Sequence, residues 1–192
     1  MMELIRMVVV LSLLTGTAGL ALSGLKVWTD PIIEGQVMTY VQGPALLQIF
    51  ADADNDPIAD RKKLPNPENP EEQIVVFPAL KGGALQAVAI ETSAGGFGGD
   101  IGVMVGIDVA SDNLAGISIT THKETPGLGS RTAEPGFTRQ FIGHGKDVAL
   151  SSKGGDIDAV SGATISSTGV VEAVNKAVNL YAQLAGDIKK TW

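Results

Sequence analysis

Two short stretches carry the residue types that could do chemistry. Asp156-Ile-Asp-Ala-Val-Ser-Gly-Ala-Thr-Ile-Ser-Ser-Thr168 crowds hydroxyls and small residues together. Thr121-His-Lys-Glu-Thr-Pro-Gly-Leu-Gly129 places an imidazole, a carboxylate and a hydroxyl ahead of a Pro-Gly turn. The first stretch precedes Val170, Val174, Ala177, Val178, Tyr181 and Leu184, whose three- and four-residue spacing predicts an amphipathic helix. A helix start offers unpaired N–H groups and the positive end of a dipole, which suit a phosphate or carboxylate. Ser161, Thr164, Ser166, Ser167 and Thr168 surround that start, so two readings stand together: an anion site, or a helix with spare caps. In the second stretch His122 and Glu124 could form an acid/base pair. They are too few to ligate a metal by themselves.

The elements that must position these stretches read as β until the final helix. Ile74–Pro78, Ala84–Glu91, Ile101–Val109 and Leu114–Thr120 are strand-like, and Ser111-Asp-Asn113 is a hairpin turn between antiparallel neighbours. Pro135 to Ile142 reads as a short helix with Phe137, Phe141 and Ile142 facing inward, and Asp147 to Ser151 as a last strand. His144, between two glycines, reads as an exposed loop residue. The class is α+β: a mostly antiparallel sheet with a long C-terminal helix, preceded by one N-terminal transmembrane helix.

That first helix rests on Met7 to Leu25, nineteen residues without charge, bounded by Arg6 and Lys26. At about 1.5 Å per residue the run just spans a hydrocarbon core. A retained anchor, a cleaved signal peptide and a buried helix all fit. The run exceeds the h-region of a signal peptide, although Ala21-Leu22-Ser23 could be a cleavage site. The reading adopted is an anchor over residues 1–28, a connecting segment over 29–73 and a folded domain over 74–192. A short N-terminal tail before a large acidic domain favours a single-pass bacterial or archaeal inner-membrane protein whose domain is periplasmic or extracytoplasmic. Arg6 and Lys26 are too balanced to decide this alone.

Composition removes several classes. The net charge of −7 argues against nucleic acid and against a basic membrane patch. The chain has no cysteine, so disulfides, thiolate-held iron–sulfur clusters, c-type haem attachment and lipoprotein anchoring are all excluded. If the chain handles electrons, an organic cofactor is the expected carrier. Its 24 glycines exceed the ordinary share of about 7% and occur in short groups, as in loops that approach something closely.

Other motifs fail on inspection. Asp52-Ala-Asp-Asn-Asp56 begins like a calcium loop, but Pro57 stands where glycine is needed and Lys63 where glutamate is. With Pro57, Pro65, Pro67 and Pro70, the stretch from Asp52 to Glu72 reads as surface connection without regular structure. Gly95-Gly-Phe-Gly-Gly-Asp100 leads into a strand and has Ile101 where a dinucleotide fingerprint needs glycine. It remains a hairpin end or a ligand contact. No Gly-x-Ser-x-Gly elbow is present for a hydrolase. No catalytic residue and no metal ligand is assigned.

His122-Lys-Glu-Thr-Pro-Gly-Leu-Gly129, followed by Ser161-Gly-Ala-Thr-Ile-Ser-Ser167, resembles the covalent FMN-binding domain of ion-pumping respiratory complexes. Gly96-Phe-Gly-Gly-Asp-Ile101 and Val105-Gly-Ile-Asp108 fit the same pattern. The best match is RnfG, the flavin-bearing protein of the Rnf electron-transport complex. Its relative NqrC, from the Na⁺-pumping NADH:quinone oxidoreductase, shares the domain and is the alternative, and the 192-residue length suits RnfG. The resemblance implies FMN joined by a phosphoester bond to Thr164, within Ser161-Gly162-Ala163-Thr164. It implies a flavin transferase that takes FMN from FAD and reads Asp158. It places Glu124, Thr125, Pro126, Gly127, Leu128 and Gly129 beside the isoalloxazine ring, with Phe97 or Leu128 packing against it. It leaves Ser166 and Ser167 as caps and removes the need for His122 as a base. The implied role is electron relay inside a membrane translocase that moves electrons between ferredoxin and NAD and couples this to Na⁺ or H⁺ transport. Other subunits would be the partners, since this chain has no NAD or ferredoxin site and catalyses nothing alone. A flavin-free scaffold domain is the competing reading.

Overall fold

Alternation along the central strands produces a sheet that buries both faces. In a computed structural model, which describes residues 1–67, 69 and 71–192, five strands form an antiparallel meander in the order β1-β2-β3-β4-β5. They are β1 (Lys62–Pro65), β2 (Gln73–Lys81), β3 (Ala84–Gly95), β4 (Asp100–Asp108) and β5 (Leu114–Thr121). On one face Val88, Ile90, Ile101, Val103, Val105 and Ile107 meet the long helix α4 (Thr164–Thr191). On the other, Ala79, Ala87, Ala89 and Met104 meet Ala45 and Leu46 of a short helix, α2 (Gly43–Ile49). Side chains alternate across a strand, and here the β-branched ones of β3 and β4 go to α4, while Ala87, Ala89 and the larger Phe77 and Met104 go to α2. Gly106 lets α2 lie close: a Cβ there would meet Ile49 Cγ2 at 2.3 Å.

The amphipathic pattern of α4 is borne out, with Val170, Val174, Ala177, Val178, Tyr181 and Leu184 all buried. Two contacts set its start against the β3–β4 hairpin. Thr92 Oγ1, buried, donates to Ala173 O at 2.7 Å. Gly169 packs so close that a Cβ there would meet Gly95 O at 2.5 Å. The helix start therefore sits beside the hairpin tip Gly95–Asp100.

The N-terminal residues Met1–Tyr40 form a unit of their own, apart from Val41–Trp192. Their helix α1 (Met2–Val37) exposes Leu11, Leu13, Leu14, Leu20 and Leu22, and it is long and apolar enough to cross a membrane.

Four local expectations need correction. The connection from Asp52 to Glu72 is not wholly irregular: Lys62 to Pro65 pairs with Val76 to Gln73 as β1, recruited by the free edge of β2 and not by any alternation of its own. Pro70 lies outside the described residues. Asp147 to Ser151 is no strand; only an isolated bridge joins Leu150 to Ile157. Val148 and Leu150 are buried, which imitates a strand pattern, but the Asn175 side chain takes the place of a partner strand. Its Oδ1 accepts from Val148 N–H at 3.0 Å and its Nδ2 donates to Val148 O at 2.8 Å. The short helix is present as α3 (Pro135–Thr138) and a 3₁₀ turn Arg139–Phe141. Phe137 and Phe141 point inward with rings 5.4 Å apart, whereas Ile142 is exposed. His144 is half-buried, its backbone carbonyl held by Leu114 N–H at 2.7 Å.

Candidate functional site

Three loops converge at one end of the sheet: the β3–β4 tip with Phe97, the stretch after β5 from His122 to Gly129, and the approach to α4. Between them lies a cleft of about 380 Å³ lined by Phe97, Glu124, Thr125, Leu128, Gly129, Gly162, Ala163, Thr164, Ile165 and Ser166. Eight of these are residues singled out from the sequence. Ser161, Pro126 and Gly127 of the same motifs lie outside the lining, in exposed backbone.

Glu124 is the junction. Its carboxylate is buried, with Oε1 accepting from Gly98 N–H at 2.9 Å and Oε2 from the Ser166 hydroxyl at 2.5 Å. One side chain thus ties the hairpin tip, the post-β5 loop and the first turn of α4. Burial pushes its pKa up, but the Ser166 hydroxyl and the N–H groups of Gly98 and Phe97 outweigh this and hold it below the ordinary glutamate value. Room for the carboxylate comes from missing side chains. A Cβ on Gly96 would lie 2.4 Å from Oε1, and one on Gly129 would lie 2.4 Å from Oε2. His122 is exposed, and its Nδ1 accepts from Glu124 N–H at 3.3 Å, a local turn contact.

Thr164 is the first residue of α4, exposed, and its hydroxyl has no hydrogen-bond partner among the described residues. The first helical bond runs from Ser167 N–H to Ala163 O at 2.9 Å, so the N–H groups of Thr164, Ile165 and Ser166 have no backbone acceptor among the described residues. Gly162 takes φ +79°, a left-handed conformation that lets the chain turn sharply before Thr164. Neither Ser166 nor Ser167 caps the helix, contrary to expectation. Ser166 is committed to Glu124, and Ser167 Oγ donates back to Ala163 O at 3.0 Å while accepting Val160 N–H at 3.0 Å. Further back, the Gln140 amide accepts from Asp158 N–H at 2.7 Å and donates to Asp158 O at 3.2 Å, leaving the Asp158 side chain in solvent.

Phe97 is 70% exposed, Leu128 46% and Ile165 56%, so three apolar side chains stand at the rim. A planar aromatic guest would bury them. Sequence reasoning missed Ile165 and took Ser166 for a cap; the only signal for either was a place in the first turn after Thr164. An unpartnered hydroxyl, three free N–H groups and an apolar rim fit a flavin carrying a phosphate. No group of three or more metal-ligating residues exists among the described residues.

Comparison with known proteins agrees with this geometry. The FMN-binding domain family matches residues 96–179, which include the hairpin tip, both motifs and most of α4. The G subunit of an ion-translocating oxidoreductase complex from Haemophilus influenzae is 32% identical over 77% of this chain and 73% of its own length. Its counterpart from Methanosarcina acetivorans is 36% identical over 54% of this chain and 56% of its own length, and that from Stutzerimonas stutzeri is matched over 59% of its length. The chain therefore spans little more than half of these last two relatives. The crystal structure of Shewanella oneidensis NqrC shares the fold, with a TM-score of 0.52 at 22% identity over 62% of each chain. With the cleft, its two motifs and these relatives in agreement, the chain belongs to the family of ion-translocating oxidoreductase complex G subunits and carries that family's FMN-binding domain.

Proposed function

We propose that this chain is an electron-relay subunit of a membrane ion-translocating oxidoreductase of the Rnf type, with FMN joined through a phosphoester to Thr164. The observation that carries this is the exposed, unpartnered Thr164 hydroxyl at the mouth of a cleft with an apolar rim. FMN supplies one- and two-electron transfer when bound. Thr164 anchors it, and the neighbouring N–H groups and helix dipole stabilise the remaining phosphate charge. Phe97, Leu128 and Ile165 would exclude water from the ring, and Thr125 with the Gly127–Gly129 backbone would supply its polar contacts. No general base is assigned, because electron relay makes no demand for a nucleophile.

Attachment forms a bond between Thr164 Oγ1 and phosphorus while the pyrophosphate link of FAD breaks, releasing AMP, and the hydroxyl proton leaves to solvent. A separate transferase must perform this step, and the loop through Asp158 is solvent-facing as that requires. In this reading residues 1–28 anchor the chain as a single span, 29–73 lead from it and add α2 and β1 to the folded unit, and 74–192 carry the flavin on the extracytoplasmic side. The partners are the other subunits of the complex.

Material from the native membrane should show flavin fluorescence that stays with the band on a denaturing gel, and a peptide across Thr164 should carry the mass of FMN. Thr164→Ala should lose the fluorescence while its circular dichroism stays that of the parent. Fluorescence surviving in Thr164→Ala sinks the attachment site; native protein without any flavin mass leaves a scaffold domain instead.

A further inference from the structure

We infer that Glu124 sets the reduction potential of the flavin, holding it down by keeping in the wall of the cleft one negative charge that no lysine or arginine pairs with among the described residues. This rests on the flavin reading above and concerns a residue whose atoms are all engaged by the protein.

Every polar partner of the Glu124 carboxylate is a donor: the N–H groups of Gly98 and Phe97 and the Ser166 hydroxyl. The two N–H groups can only donate and the Ser166 hydroxyl donates here, so this arrangement favours the ionised form. No lysine or arginine forms an ion pair with it among the described residues; Lys123, next to it in sequence, is exposed to solvent, and the exposed His122 turns its Nδ1 to the Glu124 N–H as an acceptor. The group is 6% exposed and lines the cleft, so water screens it poorly. Part of its compensation is the positive end of α4, reached through Ser166, and the phosphate proposed on Thr164 would draw on that same end. An electron arriving in the cleft therefore meets a fixed negative charge. A charge about 10 Å from the reduced ring, at an effective dielectric of about 20, would change the equilibrium constant for reduction by roughly tenfold or more. No chemical step is added; the charge shifts where the electron rests.

The full chain, loaded with FMN and held in detergent, is titrated spectroelectrochemically with three variants. Glu124→Gln and Glu124→Met remove the charge at nearly constant size, and Glu124→Asp keeps it. The expected result is a reduction equilibrium about tenfold or more in favour of the reduced form for Gln and Met, a rise of about 59 mV for a one-electron couple, with Asp near the parent. Potentials of Gln or Met equal to the parent overturn the inference and leave flavin binding intact. So does failure of both neutral variants to take up flavin while Asp does, because the carboxylate is then a structural strut only. A parent chain that takes up no flavin refutes the underlying reading instead.

Discussion

Gly129→Ala tests whether the cleft is built around a pinned carboxylate. Gly129 does not have a left-handed backbone, so alanine is conformationally permitted there. The obstacle is contact: the new methyl would lie 2.4 Å from Glu124 Oε2, 2.6 Å from Ser166 Oγ and 2.8 Å from Glu124 Cβ. The carboxylate must move, and it cannot move without releasing Ser166 and straining the Gly98 bond. Overpacking of this kind costs about 1–3 kcal/mol, and a hydrogen bond to a charged group contributes about 1.5–3 kcal/mol, so the variant should lose about 3–5 kcal/mol. With a urea m-value near 2 kcal/mol/M, the unfolding midpoint drops by about 1.5–2.5 M. Urea unfolding of the full chain in detergent, followed by circular dichroism in the β-sheet region, measures this. Gly127→Ala is the contrast. Nothing lies within 4 Å of its Cβ position, but φ is +75°, so only the left-handed penalty of about 1–2 kcal/mol applies. A Gly129→Ala midpoint indistinguishable from the parent would refute the close packing of Glu124 and, with it, the explanation of the glycine.

Two further outcomes follow from the same physics. The depressed pKa of Glu124 means that its contribution to stability is fully present above the unfolded value of 4.5 and is lost as pH falls through the lower folded value. Urea midpoints from pH 7 to 3 should therefore fall less steeply in Glu124→Gln than in the parent, and parallel acid limbs would refute it. Tyr181 is buried, which pushes its phenol up, and its hydroxyl donates to Asp112 Oδ1 at 2.9 Å, which pushes it further, to about 12. Tyr181→Phe should cost about 1 kcal/mol and remove from the ultraviolet titration a component near pH 12; a component near pH 10 in its place would show that the phenol is neither buried nor bonded.

Strands β2 to β5 were legible because each carries its own alternation, and the turn at Ser111–Asn113 because its residues suit one. The face of α4 was legible for the matching reason at helical period. What failed was structure specified by a distant partner. Lys62-Lys-Leu-Pro65 has no pattern of its own and is a strand because β2 offers an edge. Val148 and Leu150 have a strand pattern and are not a strand, because the Asn175 amide satisfies Val148 on both sides. Ser166 and Ser167 stand where caps stand, yet their acceptors and donors are Glu124, Ala163 and Val160. Local chemistry predicts local partners, and these residues found others.

The same distinction explains why two motifs some thirty residues apart read as one site. The Glu124–Gly129 loop and the Ser161–Ser167 turn meet in a single hydrogen bond between Glu124 and Ser166. That bond can form only if Gly96 and Gly129 leave the carboxylate uncrowded and Gly169 lets α4 reach the hairpin. The glycine groups that suggested close approach to a ligand are thus largely spent on close approach within the protein. Of the glycines in this region, Gly162 has the clearest direct link to the guest, since its left-handed turn precedes the exposed Thr164 hydroxyl. Bulk at Gly96 or Gly129 should therefore act through Glu124, altering the shape and charge of the cleft before it altered anything at Thr164.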